Sequence, residues 1–395
     1  MTIAETSVKL LWCGINNGGI PLKKLFYILY AAFFNICRIF PLKQNRVTFL
    51  SPHRENFTDS LGMVLKEVES RGGYDIVRIS SSDLDVKNGI KGIFRGIAFF
   101  TVKAYLLATS KYVFLNDNFM PMGSLNFNKD AVITQLWHAE GVFKKFGLHI
   151  PQPEDIRARE LSGASKLTWV VCSSPSIKKL YAEAFGVSED KVLPLGAPRS
   201  DNFFSEPDID SLKEKFLSAY PQCKGKKLIL YAPTFRDNEA DDKALLDSID
   251  TDLFNKELGE EYAFLIRLHP QIHRSKADLN GAVDVTLWED VGELILLCDA
   301  MITDYSSVCM DAALIGKPLI FYAFDLEKYN NDRSFYFDYE SYVPGPVAKN
   351  FDEFIENISN IQQLKNSEKL KNFREFNFGN PDGQATKRVV DTIIK

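Results

Sequence analysis

Cysteine is scarce and poorly spaced for chemistry. The six of them, Cys13, Cys37, Cys172, Cys223, Cys298 and Cys309, are scattered and form no C-x-x-C pair. That spacing excludes a zinc ribbon, argues against a disulfide framework and predicts reduced, buried thiols. No apolar run approaches the ~20 residues needed to span a bilayer. Positive charge is not in excess either. Lys and Arg number 47 against 52 Asp and Glu, a net charge of −5, which speaks against nucleic acid as a partner. Internal repeats and low-complexity tracts are missing. What remains is an ordinary globular composition, 45% hydrophobic and 25% charged over 395 residues. That length suits two domains of ~150–200 residues.

Two basic-aromatic segments occupy the first third. Residues 25–34 are apolar throughout, behind Lys23 and Lys24 and ahead of Arg38. The charged part starts too deep for a signal peptide, and no small-residue cleavage site follows. Residues 91–111 repeat the character, with Ile93-Phe94-Arg95-Gly96-Ile97-Ala98-Phe99-Phe100 between Lys91 and Lys103. Each segment is either a buried helix or a helix lying in the membrane interface, with Lys and Arg at headgroup level. Two of them in an acidic chain favour peripheral attachment to a membrane surface.

From Arg46 onward, short apolar runs alternate with amphipathic ones. The pattern predicts strands at 47–50, 74–79, 112–115, 132–137, 169–172 and 191–195, with helices at 60–70 and 176–185, the latter closed by Gly186. The rhythm restarts with strands at 227–232, 262–268, 300–303 and 319–322 and helices at 291–298, 307–314, 351–361 and 385–394. This alternation predicts an α/β protein of two doubly wound, Rossmann-type domains facing across a cleft. The polar stretch with Pro207 and Pro221 marks the connection. The expected organisation is an N-terminal domain over 1–200, a linker over 201–225, a second domain over 226–375 and a C-terminal helix over 376–395.

Ligands of open α/β sheets bind past the carboxyl ends of the strands, and four polar clusters stand there. His138 follows its strand directly, ahead of Ala139-Glu140-Gly141-Val142 and Lys144-Lys145-Phe146-Gly147. It is either a base for an attacking hydroxyl or a structural histidine under a loop. Arg267-Leu268-His269-Pro270 ends another strand, and a guanidinium beside an imidazole suits a pyrophosphate. His269 and His273 have a helical metal-ligand spacing, but Pro270 intervenes, so no metal is expected. Thr303-Asp304-Tyr305-Ser306-Ser307 leads into a helix that Ser306 or Ser307 would cap, with backbone N–H groups that suit an anion, and Asp311 one turn on can reach a ligand hydroxyl. Pro233-Thr234 belongs to the fourth cluster, where Arg236-Asp237 reads as a surface ion pair. The pairs Asp83/Asp85 and Asp208/Asp210 lie in polar stretches with no phosphate loop after them.

Taken in order, these clusters resemble the CDP-glycerol glycerophosphotransferase family of teichoic acid and related wall or capsule polymer synthesis. The residues that carry the likeness are Trp137-His138, Lys144-Lys145-Phe146-Gly147, Gly196-Ala197-Pro198-Arg199, Ala232-Pro233-Thr234-Phe235-Arg236-Asp237, Arg267-Leu268-His269-Pro270 and Thr303-Asp304-Tyr305-Ser306-Ser307. Phe321-Tyr322, Asp325-Leu326 and Pro344-Gly345-Pro346 close the series. The resemblance implies a GT-B-like fold, peripheral on the cytoplasmic side of the cell membrane, without a cofactor. It implies transfer of glycerol phosphate from a CDP-glycerol donor to a hydroxyl of a lipid-linked saccharide or glycerol phosphate acceptor, releasing CMP. By the same likeness His138 and His269 are both required, and the donor is held by Ala139, Glu140, Gly141, Val142, Arg199, Pro233, Thr234, Arg267, Leu268, Ser306, Ser307 and Asp311. Ala139-Glu140 and the lack of a long extra N-terminal region are similar to members that add only the first unit.

The reaction splits a pyrophosphate with an alcohol, so charge spreads over phosphoryl oxygens. His138 is favoured as the base; Arg267, His269 and the amides around Ser306 would hold the developing charge. The rival readings are a CDP-ribitol transferase of the same family, a GT-B nucleotide-sugar glycosyltransferase, and a non-catalytic scaffold at the membrane surface.

Overall fold

The computed structural model describes residues 22–84, 89–205, 208–236, 238–269, 272, 279, 281–332, 334–365 and 367–395. Cys13, Asp85, Pro207, Asp237, Pro270 and His273, and the side chains of Lys23 and Lys24, lie outside the described residues.

Among the described residues, twelve strands pair in parallel into two sheets of six. The first sheet contains β1 (Lys43–Ser51), β2 (Asp75–Ser80), β3 (Ser110–Leu115), β4 (Val132–Gln135), β5 (Trp169–Cys172) and β6 (Val192–Pro194), in the order β2-β1-β3-β4-β5-β6. The second contains β7 (Lys227–Tyr231), β8 (Tyr262–Ile266), β9 (Val283–Asp284), β10 (Ala300–Thr303), β11 (Leu319–Tyr322) and β12 (Val347–Ala348), in the order β12-β11-β10-β7-β8-β9. The chain order reverses between β1 and β3 in one sheet and between β7 and β10 in the other. Those reversals are where doubly wound sheets open a crevice at their carboxyl ends. The strands read as near-continuous apolar runs because both faces are covered, as in Tyr262–Ile266, every residue of which is buried.

The chain folds into two compact units whose boundaries differ from the expected ones. One comprises residues 1–140, 145–202 and 381–395, the other 141–144 and 203–380. The stretch expected as a linker, 201–225, contains the helix Ile209–Ala219, whose fully buried Phe216 meets Trp288 edge-on at 5.5 Å. That aromatic contact makes it part of the second unit's core. The closing helix Ala385–Ile393 is not an appendage: Val389, Val390 and Ile393 pack with Val47, Phe49, Leu61 and Phe114 of the first unit. The carboxylate of Asp201 accepts from the N–H groups of Ala385 at 3.0 Å and Thr386 at 2.7 Å, capping that helix from a distant point of the chain.

The expected strand 132–137 stops at Gln135 because Trp137 has φ = +60°, which removes it from extended backbone. β9 and β12 went unforeseen, since two residues carry no periodicity.

The expectation of buried helices for the basic-aromatic segments is met in part. The helix Leu22–Cys37 packs on the helix that runs from Gly89 through a π-turn at Phe99–Lys103 into Ala104–Ala108. Tyr30, fully buried, stacks on Phe99 at 4.7 Å. The outer faces leave Leu29, Ile36, Ile93, Phe94 and Ile97 between 52% and 67% exposed. Among the described residues no helix is long and apolar enough to cross a membrane.

Replacing Asp201 by Ala removes the cap from the last helix and is expected to lower stability by about 1 kcal/mol. Urea denaturation of the two proteins measures this, and an unchanged midpoint would contradict it.

Candidate functional site

In the first unit, β3 and β4 lie side by side and end level, Leu115 opposite Gln135. The residues that follow therefore project from the same edge. His138 Nδ1 lies 2.8 Å from Asp117 Oδ1 and 3.3 Å from the carbonyl oxygen of Asn116. Both neighbours are acceptors, so Nδ1 carries the proton and donates. In the neutral ring Nε2 is then left with its lone pair, ready to take a proton. Burial pushes the Asp117 carboxyl up, but the hydrogen bond and charge of His138, with the charges of His53 and Arg54, hold it below the ordinary carboxylate value. Its second oxygen is buried without a hydrogen-bond partner among the described residues. Trp137, strained at positive φ, lies against His138 with ring centroids 4.0 Å apart and is wedged between Phe146 and Phe185. Such packing holds an unfavourable backbone in place and fixes the residue that follows.

Glu140 and Arg199 both belong to the residues expected at the donor, and they pair with each other. Arg199 Nε stands 3.3 Å from Glu140 Oε1, and the Ser200 hydroxyl donates to Oε2 at 2.7 Å. The charge of this buried acid is thereby matched within the unit. Ala139 is half-buried, and its carbonyl accepts from Tyr181 at 3.3 Å. Gly141, at φ = +61°, and Val142 belong to the second unit. A Cβ at Gly141 would come within 2.6 Å of Asn377 Oδ1. That same oxygen accepts from the N–H of Val142 at 2.9 Å, and the Tyr342 hydroxyl donates to the carbonyl of Val142. Val142 is 1% exposed and thus committed to packing rather than open to a ligand.

In the second unit, the clusters expected at the donor follow β10, β7 and β8, three adjacent strands at the reversal point. Pro233 is buried, and the Thr234 N–H donates to Asp304 Oδ1 at 2.8 Å. The Thr234 hydroxyl oxygen and Arg267 Nε are buried without hydrogen-bond partners among the described residues. Unsatisfied polar atoms of this kind cost stability unless something binds them. Burial pushes the Arg267 guanidinium below its usual value, with Asp290 opposing. His269 lies on Phe235 with centroids 4.7 Å apart. Burial first and the Arg267 charge second lower its pKa, so the neutral ring prevails near pH 7. Leu268 is 1% exposed, a core residue whose N–H donates to Thr286 at 3.0 Å. Ser306, rather than Ser307, caps the helix Val308–Leu314, its hydroxyl accepting from Val308 at 3.4 Å, while Ser307 is exposed. Asp311 is buried on that helix.

The expected surface pair at Arg236-Asp237 is overturned. Arg236 is 7% exposed and bonded to Asp304 at 2.9 Å and to both oxygens of Asp325 at 2.8 and 3.1 Å. A guanidinium can be buried here because two carboxylates from other strand ends surround it. Sequence reasoning also missed Asp117. The signal was present, since Asn116-Asp117 directly follows an apolar strand, yet nothing in the sequence puts β3 beside β4. Among the described residues no group of three or more side chains is arranged to hold a metal ion.

The family model described as CDP-Glycerol:Poly(glycerophosphate) glycerophosphotransferase matches residues 32–395. The teichoic acid poly(ribitol-phosphate) polymerase of Bacillus spizizenii is 34% identical over 385 residues, 94% of this chain and 60% of that protein. The chain thus spans well under two thirds of that relative. The teichoic acid ribitol-phosphate primase of the same organism is 29% identical over 364 residues, 90% of this chain and 92% of the primase. A solved structure of a variant of the wall teichoic acid polymerase TagF matches with a TM-score of 0.73 at 21% identity, over 99% of this chain and 95% of that one. The α/β architecture is therefore of the GT-B type expected.

The imidazole of His269 is expected to titrate below 6.5. Replacing Arg267 by Gln should raise the midpoint by removing a neighbouring positive charge. An NMR pH titration of the ring resonances measures both, and a midpoint at or above 6.5, or one that falls in the variant, would contradict this account.

Proposed function

Because the chain belongs to the CDP-glycerol:poly(glycerophosphate) glycerophosphotransferase family, we propose that it moves a polyol phosphate from a CDP-activated donor to a hydroxyl of a teichoic acid acceptor, releasing CMP. The observation that carries this reading is the His138–Asp117 pair, which leaves Nε2 as a base at the carboxyl edge of the first sheet. Nε2 takes the proton of the attacking hydroxyl as the new P–O bond forms and the pyrophosphate bond breaks. Asp117 steadies the imidazolium. This contributes about 10²–10⁴-fold. The donor's diphosphate is held by the Thr234 hydroxyl, Arg267 and His269, with Ser306 and Ser307 at the neighbouring strand end. A neutral His269 acts there by hydrogen bonding rather than as a second positive charge.

The favoured donor is CDP-ribitol. The two relatives compared above carry ribitol phosphate in their names, which supports it over the CDP-glycerol expected from the motifs. CDP-glycerol is the second reading, supported by the family's description.

The enzyme works at a membrane surface, where its lipid-linked acceptor resides. The apolar residues exposed on the two N-terminal helices, with Lys91 and Arg95 among them, support a peripheral, in-plane attachment.

CMP release from CDP-ribitol, CDP-glycerol and UDP-sugars, each with a lipid-linked disaccharide acceptor, tests the function. CMP from CDP-ribitol is expected, reduced about 10²–10⁴-fold in His138→Ala and strongly in His269→Ala, both folded. UDP release alone would end the proposal. For the membrane, the combined change Ile93→Ser, Phe94→Ser and Ile97→Ser should abolish flotation with phosphatidylglycerol vesicles. Unchanged flotation would refute in-plane attachment.

A further inference from the structure

Beneath the strand ends of the second unit lies a buried polar group that the proposed reaction does not use. Arg236 is its centre. Nη1 donates to Asp304 Oδ2 at 2.9 Å and to the Thr234 carbonyl at 2.5 Å, while Nε and Nη2 grip both oxygens of Asp325. The Tyr305 hydroxyl donates to Asp325 Oδ1 at 2.9 Å, and its ring stacks on Tyr329 at 3.7 Å. The guanidinium sits over both rings, at 5.3 and 5.6 Å. The Tyr339 hydroxyl donates to the Asp304 carbonyl at 2.9 Å, and Lys144 Nζ donates to the Tyr329 hydroxyl at 2.8 Å.

This group is not itself a phosphate clamp. Every Arg236 nitrogen is engaged with oxygen, and the carboxylates of Asp304 and Asp325 match the charges of Arg236 and Lys144, leaving no surplus to attract an anion. A buried ion network of this kind adds little net stability compared with apolar packing, so its value lies in fixing geometry. What it fixes is visible in Asp304. Its Oδ1 accepts from the N–H groups of both Thr234 and Tyr305, at 2.8 and 2.6 Å, tying the loop after β7 to the loop after β10. Those loops carry the Thr234 hydroxyl, which has no hydrogen-bond partner among the described residues, and the Ser306-Ser307 pair.

We propose that Arg236, Asp304, Asp325 and Tyr305 are positioning residues that hold the Thr234 and Ser306 loops at the spacing a donor diphosphate requires. The inference rests on the reading that these strand ends hold a CDP-activated donor.

The test uses the full chain with Tyr305→Phe, which deletes one hydrogen bond to Asp325, and Arg236→Lys, which keeps the charge but loses the bidentate grip. CMP release is followed at varied CDP-ribitol and varied acceptor, with CDP binding measured by calorimetry. For Tyr305→Phe the donor KM should rise about fivefold, the factor of one hydrogen bond, and for Arg236→Lys by more than that. The acceptor KM should not move, and CDP affinity should fall with the donor KM. A purely structural role predicts the opposite split: kcat drops with the folded fraction, read from circular dichroism, while the donor KM stays put. That result overturns the proposal. Should Arg236→Lys fail to fold, Tyr305→Phe alone decides between these outcomes. If the unaltered chain neither binds CDP nor releases CMP, the functional reading fails, and the positioning role falls with it.

Discussion

The proton on His138 Nδ1 sits between two acceptors, the Asp117 carboxylate at 2.8 Å and the Asn116 carbonyl at 3.3 Å. Much of the chemistry follows from that arrangement. It fixes the tautomer, keeps a lone pair on Nε2 and provides an anion to balance the charge that protonation would create. The arrangement depends on parallel pairing in turn. Leu115 and Gln135 stand opposite each other, so the residues just past β3 and β4 emerge together. Trp137, forced to positive φ, turns the chain where the strand ends, and Phe146 and Phe185 hold it there.

Charge burial is handled in a similar way in both units, by setting an opposite charge beside a buried ion. Glu140 has Arg199 and Ser200, and Arg236 has Asp304 and Asp325. Burial alone would weaken the basicity of Arg236, but the two carboxylates hold it firmly protonated. Arg267 is treated differently. Its Nε is buried without a hydrogen-bond partner among the described residues, and its charge helps keep His269 neutral. A buried polar atom left unsatisfied costs stability, and in the proposed reaction the donor diphosphate satisfies it.

The helix pair of the first unit is apolar both in its buried seam and on its exposed face. The aromatic seam of Tyr30 and Phe99 is buried as in any core, whereas Ile93, Phe94 and Ile97 face outward on the next turns. These exposed residues, flanked by Lys91 and Arg95, are what supports the proposed attachment to a membrane surface.

Ten of the strands were legible in the sequence because parallel strands buried on both faces are apolar without interruption, and the residues just beyond them stood out as polar. His138, Arg267, His269 and Ser306 were placed past strand ends in that way, and there they stand. The two-residue edge strands were not, since they carry no pattern, and neither was the helix Ile209–Ala219 in a stretch that looked like a connection. Local sequence also misjudged individual side chains. Val142 and Leu268 sit within polar motifs yet are 1% exposed, and Arg236 looked like a surface residue yet is buried. The sequence by itself determined the α/β class, the family and the strand ends where chemistry belongs, because hydrophobic period and motif order are local properties. Tertiary structure alone decided which carboxylate meets which base. Asp117 and His138, or Arg236 and Asp325, become neighbours only when strands distant along the chain are laid side by side.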